Sequence, residues 1–165
     1  MHKQPVSEAR SCSIDGFTLI ELLIVIVVLG ILATLVVPRM SDAAERSEKT
    51  AFISDLQQFG TAARLFHLEH GEYLADGDTG TVPAGFEDYV RPEDWTRPTP
   101  IGGLWDAELR ESGITSAIGV YFKFAEGRKD DAFMAEVDAM FDDGSLSSGS
   151  FRKIAKQRYY LILER

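Results

Sequence analysis

Cysteine is almost missing from this chain. Cys12 is its single thiol, so no disulfide can close within one copy. Stability must come from packing, partners or ions instead. A basic surplus is missing too. The formal net charge is −9, the reverse of the basic face that a non-specific nucleic-acid binder requires, and no nucleic-acid partner is expected. There is no Cys/His spacing of the zinc type. There is no Gly-x-Ser-x-Gly elbow, no His-Glu-x-x-His pair and no phosphate-binding glycine loop. No catalytic residue, cofactor-binding residue or enzymatic activity is expected.

What the chain does have is one long apolar run near its start. Residues 17–37 read FTLIELLIVIVVLGILATLVV, roughly twenty residues dominated by Leu, Ile and Val, enough to cross a bilayer as a helix. Pro38 and Arg39 close the run, where a kink is expected and polar residues resume. A secretory signal peptide would be shorter and followed by a small-x-small cleavage site. A plain membrane anchor leaves Glu21 unexplained. A carboxylate in such a segment costs several kcal/mol and therefore calls for a partner and a purpose.

The segment Gly16-Phe17-Thr18-Leu19-Ile20-Glu21 resembles the processing site of type IV prepilins and type II secretion pseudopilins. That resemblance implies cleavage by a prepilin peptidase between Gly16 and Phe17, followed by N-methylation of Phe17. It implies that Glu21 neutralises the terminal amine of a neighbouring subunit in the filament core, where a low dielectric makes the pairing strong. Gly30 and Pro38 stand where relatives often carry a helix-loosening glycine and a kinking proline. The leader, residues 1–16, sets Lys3 and Arg10 against Glu8 and Asp15; Asp15 occupies a position where the family often has a basic residue. Removing the leader also removes Cys12, and a cysteine-free mature chain tilts the reading toward the secretion branch.

Helical periodicity continues past the membrane-length run. Phe52, Leu56, Phe59, Ala63 and Phe66 recur at spacings of four, three, four and three, one stripe of an amphipathic helix. Asp42, Glu45, Arg46, Glu48 and Lys49 are expected largely off that stripe, and Gly71 is a natural C-cap. A coiled-coil stalk would need more uninterrupted heptads. Residues 72–103, rich in Gly, Pro and Asp, read as a loop-rich connection anchored by Phe86, Tyr89, Val90 and Trp95, with a short helix over 87–90. Strands are expected over 104–109, 114–124 and 158–163, and a helix over 130–141 ended by Gly144. Roughly two to four antiparallel strands should pack on the long helix. The expected fold is α+β and pilin-like. Its parts are a leader (1–16), a transmembrane and assembly helix (17–38), the soluble half of that helix (39–71) and a small globular domain (72–165).

Asp138, Asp142 and Asp143 offer oxygen ligands around a Gly turn, chemistry suited to calcium, against the plainer reading of a solvated helix end. Asp76 and Asp78 offer a weaker version of the same. His67 and His70 read as an exposed helix face rather than a metal pair. None of the three sets is assigned a metal, and no cofactor is expected apart from the calcium alternative. The run Ser145 to Ser150 reads as a flexible loop, and Trp95 and Trp105 as core or rim anchors rather than ligand platforms.

The resemblance thus implies a subunit of a type II secretion pseudopilus. It would sit in the inner membrane with its globular part in the periplasm, and assemble with like or related pilin subunits through the inner-membrane machinery. A type IV pilus subunit for adhesion, motility or DNA uptake is the alternative. A membrane-anchored periplasmic binding protein is the third reading.

Overall fold

The computed structural model describes residues 17–111, 113–124 and 129–164, with the side chains of 34–41 and 111 outside that description. Leader residues 1–16, including Gly16, lie outside the described residues, as does the side chain of Pro38. The chain divides into two compact units, Met1–Asp42 and Ala43–Arg165.

In the first unit the backbone is helical from Leu19, the start of α1 (Leu19–His70). Its apolar residues are exposed on every side, from Leu19 at 88% to Val25 at 47%. Among the described residues no helix is long and apolar enough to cross a membrane. The membrane-crossing helix expected for residues 17–38 is therefore not found among the described residues.

The second unit is built on the C-terminal part of α1. Phe52, Leu56, Phe59, Ala63 and Phe66 are all buried, so the predicted stripe is the face that enters the core. Gly71 follows the helix with φ 72°, and its N–H bonds the His67 carbonyl at 2.8 Å. A 3₁₀ turn over Phe86–Asp88 and a short α2 (Pro92–Thr96) interrupt the loop-rich stretch. Strands β1 (Leu104–Glu111), β2 (Ile114–Tyr121), β3 (Phe151–Ala155) and β4 (Arg158–Glu164) form one antiparallel sheet in the order β1-β2-β4-β3. Between β2 and β3 lies α3 (Asp131–Ala139), whose N-cap Asp130 accepts the Phe133 N–H at 2.9 Å. This is the α+β, pilin-like architecture expected.

Aromatic rings join α1 to the sheet. Trp105 on β1 stacks on Phe52 with centroids 5.4 Å apart. It meets Phe59 edge-on at 4.9 Å. Trp95, fully buried, packs on Phe59 and Phe86 and donates its indole N–H to the Thr81 carbonyl.

Lys49 corrects the sequence reading. It is buried, with 6% of its surface exposed, and lies three residues before Phe52, on the stripe rather than off it. Its ammonium pairs with Glu45 at 2.7 Å and with Glu136 of α3 at 2.5 Å, over the Phe133 ring at 4.4 Å. The charge is tolerated because carboxylates and an aromatic face replace the lost water.

The other face of the sheet carries a polar row. Asp106, Gly119 and Tyr160 stand opposite one another on β1, β2 and β4. The Tyr160 hydroxyl crosses the position of Gly119 to donate to Asp106. Beside them Arg158 bonds Glu108 at 2.9 Å and lies over the Tyr121 ring. Burial raises the Asp106 pKa above the ordinary carboxylate range, against the opposing pull of Tyr160 and Arg158. A carboxyl with a raised folded pKa favours folding fully below its unfolded pKa, and that contribution is lost as pH rises through the folded value. Asp106→Asn keeps an oxygen acceptor for Tyr160 and removes the charge. Its melting temperature should exceed wild type at pH 7 and match it near pH 3, read by circular dichroism. An equal gain at both pH values would rule out charge burial as the cause.

Candidate functional site

Two places gather the residues singled out from sequence. The first is the beginning of α1. Thr18 stands just ahead of the helix, and its carbonyl accepts the N–H groups of Glu21 and Leu22. Its own N–H donates to Glu21 Oε2 at 2.9 Å, and its hydroxyl donates to the same oxygen at 2.8 Å. The Glu21 N–H returns a bond to the Thr18 hydroxyl at 3.3 Å. This is a reciprocal capping box, which satisfies donors that a helix start leaves orphaned. Thr-x-x-Glu is the sequence signature of such a box, and sequence reasoning passed over it while attending to the charge of Glu21. Both Thr18 bonds fall on Oε2.

Gly30 lies mid-helix in the same unit. Among the described residues nothing stands within 4 Å of where a Cβ would be, so no contact among them requires a glycine there. Gly16 lies outside the described residues. Pro38 falls within the bounds of α1.

The second place is the C-terminal end of α3. Asp138, Asp142 and Asp143 each present a carboxylate oxygen within 4.8 Å of the others. Asp138 is fully buried, which corrects the solvated-helix-end reading. It falls four residues after Met134 and one after Val137, on α3's buried face. The spacing of 134, 137, 138 and 141 is the helical core spacing, a signal that was present in the sequence.

The loop after α3 is bound to the other two aspartates. Asp142 Oδ2 accepts the N–H groups of Ser150 and Phe151, the latter at 2.9 Å. Asp143 accepts the Ser145 N–H at 2.8 Å and the Ser148 hydroxyl at 2.7 Å. A Cβ at Gly149 would lie 2.3 Å from Asp142 Oδ2, so only glycine fits beneath that carboxylate. The run Ser145–Ser150, flexible by composition, is thus organised around two carboxylates. Neither oxygen of Asp138 has a hydrogen-bond partner among the described residues, and the nearby Ser145 N–H is committed to Asp143. Burial, and then the charges of Asp142 and Asp143, push the Asp138 carboxyl up to about 6. Asp143 is held below the ordinary range by its bonds from Ser148 and Ser145.

The histidines turn to rings rather than to each other. His67 stacks on Tyr73 with centroids 3.9 Å apart, and His70 stacks on Phe66 at 4.5 Å. Asp76 and Asp78 do not join the aspartate group.

A long helix laid on a small antiparallel sheet, preceded in sequence by an exposed apolar segment with one capped carboxylate, is consistent with a pilin-like fold. Residues 13–37 match the prokaryotic N-terminal methylation motif, and in this N-terminal part the chain is similar to type II secretion and fimbrial proteins. It is similar to the type II secretion system core protein G of Klebsiella pneumoniae, 40% identical over 58 residues, which cover 35% of this chain and 41% of that protein. The core protein G of Pectobacterium carotovorum subsp. carotovorum is 38% identical over 58 residues, covering 35% of this chain and 37% of the relative. A fimbrial protein of Pseudomonas aeruginosa is 40% identical over 60 residues, covering 36% and 39%. The chain thus spans about two fifths of the length of the curated relatives it matches. No solved structure matches it.

Proposed function

We propose that this chain is a structural subunit of a type II secretion pseudopilus, cut by a prepilin peptidase and assembled through its N-terminal helix with other pilin-like subunits. The observation that carries this reading is the apolar surface of the first unit, exposed on all sides from Leu19 to Leu32 and interrupted by one carboxylate. Such a surface needs lipid or other helices around it. Before assembly it anchors the chain in the inner membrane, with the second unit in the periplasm. After assembly it lies among the helices of neighbouring subunits.

Glu21 and Gly30 fit both states. Within one subunit Thr18 occupies only Oε2 of Glu21, and the other oxygen is the natural partner for a neighbour's terminal amine. An interior glycine costs a helix about 1 kcal/mol relative to alanine. With nothing near Gly30 among the described residues, close approach of a neighbouring helix is the reason for keeping it. The likeness to a fimbrial protein favours a type IV pilus as the second reading. Long surface filaments, as against short periplasmic ones, would decide for it.

The protein isolated from its native membranes should begin at N-methyl-Phe17 by intact mass and N-terminal sequencing. A chain that keeps residues 1–16, or is cut elsewhere, would remove the processing step and the filament reading with it. Glu21→Ala should insert into the membrane at the wild-type level and drop at least tenfold in cross-linked filaments. Undiminished incorporation would leave the helix a plain anchor for a binding protein.

A further inference from the structure

We propose that Lys123 and Phe124, just after β2, and Lys156, at the tip of the β3–β4 hairpin, form a docking surface for anionic phospholipid headgroups. It holds the second unit against the bilayer before assembly. The inference rests on the membrane anchoring proposed above and adds a second, reversible contact with the same membrane.

Charge segregation is the first observation. Acids outnumber bases by 26 to 17 in the whole chain, yet residues 144–163 hold Arg152, Lys153, Lys156 and Arg158 and no acid. Most basic groups at this end of the sheet are already answered. Lys153 pairs with Asp131 at 2.6 Å, Arg158 with Glu108 at 2.9 Å, and Lys129 lies 4.0 Å from Glu48. Asp130 is spent on the N-cap of α3. Lys123 and Lys156 are exposed and have no ion pair among the described residues. The fold brings them together. The Phe122 N–H bonds the Gln157 carbonyl at 3.0 Å, one step beyond the pairing of Tyr121 with Arg158; Lys123 follows that bond and Lys156 precedes it.

The second observation is Phe124, next in chain to Lys123 and 63% exposed. It is the only phenylalanine that the second unit exposes among the described residues. It forms one wall of an apolar cleft of about 330 Å³ with Pro98, Leu104, Tyr121 and Phe122. A ring beside cations suits the headgroup layer, where the ring enters the apolar boundary and the ammonium groups meet phosphates. A soluble polyanion would use the lysines and leave the ring in water.

The third observation is place. Leu161 and Leu163 lie 2.8 and 3.6 Å from the Cβ position of Gly60, and Leu163 and Glu164 share a cavity with Ala63 and His67. β4 therefore runs the way α1 does, and the hairpin tip lies toward Lys49, where α1 enters the second unit. Asp131, the partner of Lys153, opens α3, whose Glu136 holds Lys49. About a dozen residues separate Val37 from Lys49, roughly 18 Å as helix. The headgroup layer of about 5–8 Å and one Debye length of about 8–10 Å together span nearly that distance. Each lysine near an anionic surface strengthens binding only about fivefold, so two suffice because the anchor already keeps them close.

The test is lysine labelling of the full-length chain reconstituted in vesicles, either phosphatidylcholine alone or with about one third phosphatidylglycerol. A membrane-impermeant amine-reactive ester is the reagent, read by mass spectrometry. Lys123 and Lys156 should react at least roughly threefold more slowly on the anionic vesicles, and about 0.5 M NaCl should remove the difference. Millimolar inorganic phosphate should give no protection on neutral vesicles, which separates a lipid surface from a free anion. In Phe124→Trp the new indole should be quenched by brominated acyl chains on anionic vesicles and not on neutral ones, while Trp95 and Trp105 stay buried. Equal labelling of wild type on both vesicle types would overturn the site, whether or not the variant folds. So would protection by phosphate alone, an unquenched indole on both vesicle types, or protection that grows with protein density on neutral vesicles, the sign of a second copy. A chain that floats with neither kind of vesicle would remove the anchor and this inference together. A chain that floats with both and shows no lipid-dependent labelling overturns the inference alone.

Discussion

Trp105→Ala should lower the stability of the second unit by about 3–5 kcal/mol, the largest loss expected from truncating any one side chain here. Trp105 is fully buried and its ring touches the helix and the sheet-side loop at once. Phe52 stacks on one face at 5.4 Å, Phe59 meets an edge at 4.9 Å, and Trp95 lies at 6.4 Å. Removing it leaves a cavity that Phe52 and Phe59 cannot fill, because both are fixed along α1. Whole domains are stable by only about 5–15 kcal/mol, so this variant should melt at least roughly 10 °C lower. The indole N–H of Trp105 has no partner among the described residues, so its contribution is packing rather than hydrogen bonding. Trp105→Phe should therefore recover more than half of the loss. Thermal melts of the two variants in detergent check this, and a Phe variant as unstable as the Ala variant would refute it.

Gly119→Ala should be nearly as damaging, although it adds a single methyl group. The new Cβ would stand 2.0 Å from the Tyr159 carbonyl oxygen and 2.6 Å from the Tyr160 Cα. Both are backbone atoms of β4, so no side-chain rotation relieves the clash. Strands β2 and β4 would have to separate at the centre of the sheet. Overpacking a core costs about 1–3 kcal/mol and occasionally more; a backbone collision in a central strand should reach about 3 kcal/mol or beyond. Gly77→Ala is the matched control, since nothing lies within 4 Å of its Cβ position, and it should move the melting temperature by no more than a degree or two. If both glycines tolerate alanine equally, the close approach of β4 is not what position 119 serves.

The large elements were legible in the sequence wherever one periodicity ran long enough. Phe52 to Phe66 keep a single face through five residues, and Gly71 ends the helix where a C-cap glycine should. Strands β2 and β4 are rich in β-branched and aromatic residues and were readable for that reason. β3 was not, because Phe151 is its only fully buried side chain and Arg152, Lys153 and Ile154 show no alternation. Five residues at α2, Pro-Glu-Asp-Trp-Thr, are too few to carry a helical period.

The misread charges share one cause. Lys49 and Asp138 occupy apolar-face positions of their helices, and composition argued for solvent while spacing argued for the core. Spacing was right in both. The partner that makes Lys49 tolerable, Glu136, lies 87 residues away, beyond the reach of any local pattern. At the N-terminus the motif over Gly16 to Glu21 pointed to a family, and the methylation-motif match over residues 13–37 agrees. What the second unit contacts was not legible, because that depends on surfaces the motif does not cover.

The row formed by Asp106, Gly119 and Tyr160 has a bearing on how this sequence can drift. Position 119 has no side chain where the backbone of Tyr159 and Tyr160 lies against it, and the Tyr160 hydroxyl is one of the groups that hold the buried Asp106. Losing the tyrosine hydroxyl first would take a hydrogen bond from a buried carboxylate, and filling the glycine first would force the strands apart. The passable route begins at position 106, with an amide in place of the acid, and only then releases position 160. The order of substitutions along this row therefore matters as much as the substitutions themselves.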